Sequence, residues 1–436
     1  MAISVEVLAV FFFIALASVL AARKIRAPYT ILLVLVGLAM TALPISTFTG
    51  LGGFFSGLVN DQLFIGLILP PLLFESVVEV RLADFRAVYR PALLMATVGV
   101  LISALVVGVV LWKVVGLSIL VSFLFAAMIS PTDVATVLDV FSRVKVPTRL
   151  ATLVEMESVF NDATGIAIFT VVLTTSAAAT LQPVEAVADF SYILSGGILV
   201  GLGVAWAARR VQALIEDSVT QVVLTLVAVY GAYALATALG TSGLIAVAVT
   251  GLFYGNSALF RVESKQVAET TREFWEVLAF VANAAAFLFI GVSTNIYLLA
   301  TSFGAFLVAY GVVVMARITS VYPILSVTKV GGSTIPSSWM NTSALGGMRG
   351  ALAIVLVSAV PPGIRAQVAT LTFGVVMLSI LVQGPLLSSY ARQTFGRQET
   401  LQQYTGYEAI YDLEGKPRGA EALTPEPGGR ETDELR

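Results

Sequence analysis

Long apolar stretches follow one another along almost the whole chain, separated by short polar connections. A helix needs about 17–25 such residues to cross the hydrocarbon core of a bilayer. A backbone in lipid must satisfy its hydrogen bonds internally, so uninterrupted stretches of this kind are helices. Thirteen candidate spans lie near residues 4–22, 28–46, 62–80, 91–114, 117–140, 150–174, 188–208, 219–239, 242–258, 273–293, 300–323, 335–360 and 367–390. The expected fold class is therefore an all-α polytopic membrane protein. Composition agrees: 58% of the 436 residues are hydrophobic and 12% are charged, whereas a soluble domain carries about a quarter charged residues. The run Val5–Ala22 follows no basic segment and ends at no small-residue cleavage site, so it reads as a span and not as a signal peptide.

Loop charges test the count independently. The connections after spans one, three, five, seven and nine carry Arg23/Lys24/Arg26, Arg81/Arg86/Arg90, Arg143/Lys145/Arg149, Arg209/Arg210 and Arg261/Lys265/Arg272, and the one after span eleven carries Lys329. The intervening connections hold almost none, with Lys113 and Arg365 the exceptions. The positive-inside rule then puts the N-terminus outside and the C-terminus in the cytoplasm. One missed or spurious span would break this alternation.

Thirteen spans also accommodate two inverted six-span halves joined by a linking span near 188–208. Inverted repeats are characteristic of secondary transporters, which bind their substrates near the midplane on interrupted helices. The fifth span of each half is interrupted here, by Ser130-Pro131-Thr132-Asp133 and by Gly346-Gly347-Met348-Arg349-Gly350. Proline removes a donor and crowds the preceding turn, and glycine permits unwinding. Backbone groups freed in this way are tolerable only inside protein or beside water. Residues 396–436 turn polar and end in Glu431, Asp433 and Glu434, as a short, largely disordered cytoplasmic tail would.

Chemistry is confined to few side chains. The chain has no cysteine and no histidine, which excludes disulfides, thiolate chemistry and the usual zinc and haem sites and leaves proton handling to carboxylates. No basic cluster suggests a nucleic-acid partner. Span six carries Glu155, Glu157, Ser158, Asn161 and Asp162 within an otherwise apolar run. Each ionised side chain at a bilayer centre costs roughly 2.5–3.5 kcal/mol on insertion scales, so each needs a partner or a water-filled cavity. On a helix Ser158 and Asp162 share one face, and Glu157 and Asn161 share the next.

Glu75, Asp133, Arg317 and Arg349 are the other ionisable candidates within spans, while Asp139 and Glu276 sit nearer span ends and read as interfacial. Asp133 follows the break in span five. With Asp162, Ser158 and Thr132 it could form an oxygen site of the sort hard cations prefer, or it could form a salt bridge or capping pair. Two carboxylates sharing a small site repel, which makes them exchangeable carriers of a proton or a cation. Arg317 cannot lose its proton and must be paired, with Glu157 the best candidate. Arg349 either tunes the field near the site or satisfies loosened carbonyls. Glu75 is an extra ligand, a gate on the cation path or a snorkelling interfacial residue.

Phe74-Glu75 after a Pro-Pro pair, Ser130-Pro-Thr-Asp133, Glu157-Ser-Val-Phe-Asn-Asp162 and Gly346-Gly-Met-Arg-Gly350 occur in one order. Together they resemble a monovalent cation:proton antiporter of the NhaP/NHE type over residues 1–392. The resemblance implies an NhaA-like fold with an antiporter domain over residues 1–395. Its six-helix core would come from spans near 91–174 and 300–390, and its dimerisation part from spans near 4–80 and 219–293. It implies Asp162 as the essential ion- and proton-binding carboxylate and Asp133 with Thr132 at the crossing of the broken helices. Ser158 and Glu75 would help to form the cation site, and Glu157–Arg317 would be a buried ion pair. Asn161 stands where electrogenic relatives carry an aspartate, which implies electroneutral exchange.

The function expected is exchange of Na⁺, or Li⁺, for H⁺ by a homodimer in the inner membrane of a prokaryote. Proton and cation would compete for the site at Asp162, Asp133, Ser158 and Thr132, with no cofactor and no enzymatic reaction. K⁺ or Ca²⁺ exchange is the main rival. A cation channel or an intramembrane aspartyl hydrolase using Asp133 and Asp162 stands further off.

Overall fold

The computed structural model describes residues 5–25, 29–42, 63–78, 80–133, 137–138, 140–141, 144, 146–178, 183–215, 217–257, 265–293, 297 and 301–408. Helices follow the apolar stretches one by one. They are α1 (Val5–Ile25), α2 (Tyr29–Ala42), α3 (Leu63–Val78) and α4 (Leu82–Lys113), the last with a π turn at Met95–Gly99. Next come α5 (Ile119–Ile129), α6 (Thr148–Ala178), α7 (Pro183–Gln212), α8 (Ser218–Ala238), α9 (Gly243–Gly255), α10 (Lys265–Ser293) and α11 (Phe303–Val327). The twelfth span is split into α12 (Ser337–Leu345) and α13 (Ala351–Leu356). The last is α14 (Pro362–Leu378), continued through a π turn (Ser379–Gln383) into α15 (Gly384–Glu408). The all-α polytopic expectation holds, and both predicted interruptions are present: no helix covers 130–133 or 347–350.

Three boundaries differ most from the hydropathy reading. α4 starts at Leu82 instead of near 91, because Leu82–Arg90 continues the helix amphipathically: Val88 is buried, while Arg86, Tyr89 and Arg90 are exposed. α10 begins two turns before its apolar run. α15 runs to Glu408, so the segment from 396 opens as helix, as its Gln- and Glu-containing sequence permits. Arg26, Asp139, Arg143, Lys145, Arg261 and the remainder of the tail from 409 lie outside the described residues. One element had no counterpart in the expectation, a small antiparallel hairpin of β1 (Lys329–Val330) and β2 (Ser333–Thr334). Gly331 and Gly332 turn it at φ 56° and 87°, values at which only glycine is unstrained.

The helices pack in two neighbourhoods. α4, α5, α6, α11 and α14 pack against one another, with α12 on α11 and α13 on α5 and α14. α10 packs on α2, α3 and α8, and α9 packs on α3, α7 and α8. Lipid offers no hydrophobic drive between helices, so close approach depends on small residues. At the α2–α10 contact a Cβ on Gly37 would stand 2.9 Å from the Gly291 Cα. Asn256, at the end of α9, holds the connection from α3 to α4: its Oδ1 accepts the Leu82 N–H (2.9 Å), and its Nδ2 donates to Val80 O (2.8 Å) and Leu252 O (2.7 Å).

Candidate ion-binding site

A helix ending inside a membrane leaves carbonyls without partners, and most of the site's geometry follows from how those carbonyls are satisfied. α5 stops because Pro131 has no N–H to continue it. The Ser130 N–H and hydroxyl both turn back to Ala126 O, at 3.0 and 2.6 Å. The next two carbonyls, Ser130 O and Pro131 O, accept from the Arg349 guanidinium, the latter at 2.9 Å. Thr132 O accepts the Ser158 hydroxyl at 2.7 Å, and Thr132 Oγ1 accepts the Asn161 amide at 2.8 Å. Residues one turn apart on α6 thus hold one unwound residue of span five. The Asp133 N–H then donates to Met348 O at 2.8 Å, joining the two breaks through their backbones. Gly350 has to be glycine at this meeting point, because a Cβ there would overlap the Asp133 side chain.

The second break is satisfied in the same manner. Gly346 N–H returns to Thr342 O at 2.7 Å, and Ser343 O accepts from Arg317 Nη2 and Nε at 2.8 and 3.2 Å. Arg317 also forks onto Glu157: Nη1 donates to Oε1, and Nη2 donates to Oε2 at 3.0 Å. Both residues are almost fully buried, at 5% and 1% exposure. The Arg349 N–H donates to Ser379 Oγ at 3.0 Å, at the π turn that follows α14.

Between the breaks lies a cavity of about 30 Å³. A single water needs roughly 10–15 Å³, so the space admits a small ion with about two waters. Its polar lining is Thr132, Asp133 and Asp162 from one helix neighbourhood and Asn283 of α10 from the other. Leu69, Leu72 and Phe287 form its apolar side. The candidate residues therefore separate by position. Asp162, Asp133 and Thr132 face the cavity, and Ser158 and Asn161 hold the unwound segment behind it. Glu157 and Arg317 form the buried pair, and Arg349 holds the carbonyls of the first break. Glu75, one turn beyond Leu72 on α3, does not line the cavity. Asn283 escaped the sequence reading, since a lone asparagine in an apolar helix carries no pattern.

Carboxylate, hydroxyl and amide oxygens around so small a space suit a hard cation or a proton. Two carboxylates there can exchange one for the other without any further chemistry.

Comparison with known proteins points the same way. Residues 8–393 match the model of the family described as sodium/hydrogen exchanger, transmembrane. The chain is 32% identical to the Na⁺/H⁺ antiporter NhaS2 of Synechocystis sp., over 87% of this chain and 68% of that protein. It is 32% identical to the Na⁺/H⁺ antiporter NhaP of Pseudomonas aeruginosa, over 76% and 80%. With the Na⁺/H⁺ antiporter NhaH of Halobacillus dabanensis it shares 30% identity over 88% and 93%. Among solved structures, the sodium proton antiporter MjNhaP1 of Methanocaldococcus jannaschii at pH 8 superposes with a TM-score of 0.71 at 24% identity, covering 89% of this chain and 99% of that one. At that identity the structural likeness speaks for the fold.

Proposed function

The chain belongs to the transmembrane sodium/hydrogen exchanger family, and on that premise we propose that it exchanges Na⁺ for H⁺ across the membrane at a site centred on Asp162. The observation that carries this reading is the small cavity at the meeting of two broken helices, where Asp133 and Asp162 are the acidic lining residues. A carboxylate oxygen there accepts a proton or ligates a cation, and occupation by one displaces the other. Thr132 adds a hydroxyl oxygen, and Ser158 and Asn161 keep that residue in its unwound conformation.

The packing supports a division of labour. Spans four to six and eleven to thirteen are the moving core that carries the site. The first three spans with eight to ten are the static part through which two copies pair as a homodimer, and span seven links them. Exposure of the site to either side alternates as the core shifts against the static part, and opposing ion gradients supply the energy. The protein then acts as a multi-pass protein of the inner membrane, with its N-terminus outside and its C-terminus in the cytoplasm. Li⁺ is accepted with Na⁺ by the same oxygens. Exchange is electroneutral, one proton for one monovalent ion at Asp162; in support, the residue beside Asp162 is a neutral amide bonded to Thr132 and not a further carboxylate.

The test is cation-dependent dissipation of a ΔpH in proteoliposomes. Wild type should collapse the gradient on addition of Na⁺ or Li⁺, and Asp162→Asn should not. Equal collapse by both proteins removes Asp162 from the mechanism, and collapse by K⁺ alone reassigns the cation. Clamping the membrane potential should leave the rate nearly unchanged; a strong voltage dependence contradicts one-for-one exchange.

A further inference from the structure

Asn283 lines the cavity from α10, and exchange at Asp162 as described gives it no task. A side-chain amide in a membrane helix is usually hydrogen-bonded to a neighbouring segment, as Asn256 and Asn161 are here. Asn283 makes no hydrogen bond to any of the described residues and instead lines the cavity that holds Asp133 and Asp162. Among the described residues it is the sole polar lining residue on its side: Ala286 and Phe287, one turn on, share its face of α10, and Leu69 and Leu72 come from α3. Its helix packs on α2, α3 and α8, and the carboxylates sit in the other helix neighbourhood.

We propose that Asn283 is a cation ligand lent to the exchange site by the static wall, its amide oxygen completing the coordination that Asp162, Asp133 and Thr132 begin. This rests on the reading of Asp162 as the centre of the site. A space of about 30 Å³ leaves room for about two waters beside a small cation, so the remaining oxygens of its coordination shell come from the walls. The Thr132 hydroxyl and carbonyl each already accept a hydrogen bond, which halves what that residue can offer. An amide oxygen is a hard ligand without charge, so it binds the ion without adding a third acid. Because α10 does not travel with the core, the ligand serves the ion only while the core stands against that wall. Asn283 therefore makes affinity differ between the two sides of the transport cycle.

The experiment compares Asn283→Leu, Asn283→Ala and Asn283→Asp as full-length protein in proteoliposomes, reading KM and maximal rate for Na⁺ and Li⁺ separately. Loss of one oxygen from a charged ligand should raise the KM for Na⁺ roughly tenfold in the Leu and Ala variants, with the maximal rate within about twofold. Asn283→Asp retains an oxygen and should keep KM at or below the wild-type value. A packing role predicts the reverse, because Leu matches the size and apolar surroundings of the site and Asp brings an uncompensated charge. An unchanged KM in both Leu and Ala, with Asp162→Asn inactive in the same assay, overturns the role of Asn283 alone. Exchange surviving in Asp162→Asn takes down the Asp162 reading and this proposal together. If Asn283→Leu does not fold, Asn283→Ala, which adds no bulk, decides the same question.

Discussion

The two broken helices end alike and are held differently. Each ends with its carbonyls, the negative end of its dipole, facing a buried arginine: Arg349 at Ser130 and Pro131, and Arg317 at Ser343. Arg317, however, also spends its charge on Glu157, so that end is closed by a neutral pair. Arg349 gives its described bonds to carbonyls and a helix end, and it stands next in sequence to Gly350, against which Asp133 packs. One break is therefore fixed by an ion pair, and the other by an arginine whose guanidinium bonds run to the Ser130 and Pro131 carbonyls that lead into the cavity segment. From this contrast we infer that the first arginine serves stability and the second serves exchange.

The largest effect should come from splitting the neutral pair. Arg317→Met leaves Glu157 buried and unpaired, and breaking such a pair costs roughly 3–5 kcal/mol. A thermal melt in detergent should register a large loss, with little folded protein recovered. Glu157→Ala should do the same from the other side and should harm folding more than cation affinity. The double variant Glu157→Met/Arg317→Met should recover most of the loss, since an apolar replacement of a buried pair is often close to neutral. A double variant no better than the singles would mean that the bonds to Ser343 O carry the stability, and the contrast between the two ends would shrink.

Arg349→Met should invert the ranking. It orphans two carbonyls, at roughly 1–3 kcal/mol for unsatisfied buried acceptors, but it strands no opposite charge. Its melting temperature should fall less than that of Arg317→Met. Exchange per folded protein should fall at least about tenfold, about 1.4 kcal/mol of barrier, because the Ser130 and Pro131 carbonyls that lead into the Thr132–Asp133 segment lose the group that holds them. Activity close to wild type in a well-folded Arg349→Met would reduce that residue to a capping role and erase the distinction.

Much of this was legible before any coordinates, because lipid is an unforgiving solvent. Apolar length marks out the helices that are observed. A charge such as Arg317, which cannot be discharged, narrows the choice of partner to the few acids in the membrane, and Glu157 is where it is found. What was not legible depends on crossing geometry. Nothing in Gly346–Gly350 says that Arg349 reaches back to the carbonyls of span five. Nor does Ser158, spaced to share a face with Asp162, announce that its hydroxyl is engaged by Thr132 O. Asn283 is invisible without the opposite wall, and the hairpin at Lys329–Thr334 is too short to have a period. Glu75 has a sequence context that points to the site, and it stands one turn beyond Leu72 of the cavity lining.

The smallest effect belongs to a helix end of the opposite kind, solvated and positive. Asp217 caps α8 by accepting the Thr220 N–H at 2.8 Å. That backbone hydrogen bond, with the contribution of the Thr220 side chain, lowers its carboxyl below the ordinary 3.8. A carboxylate held below its unfolded value contributes stability above that value and loses it as pH falls through the folded one. Asp217→Ala should therefore lower the melting temperature slightly near neutral pH, and the difference from wild type should close as the buffer is taken well below pH 3.8. Asp217→Asn keeps a side-chain acceptor for the same N–H and should fall between the two near neutrality. Exchange should be indifferent to both variants, because the Asp217 side chain is exposed and bonds to its own first turn. A clear loss of exchange in Asp217→Ala would mean that a surface cap reaches the core, and separating helix ends by burial would no longer separate stability from transport.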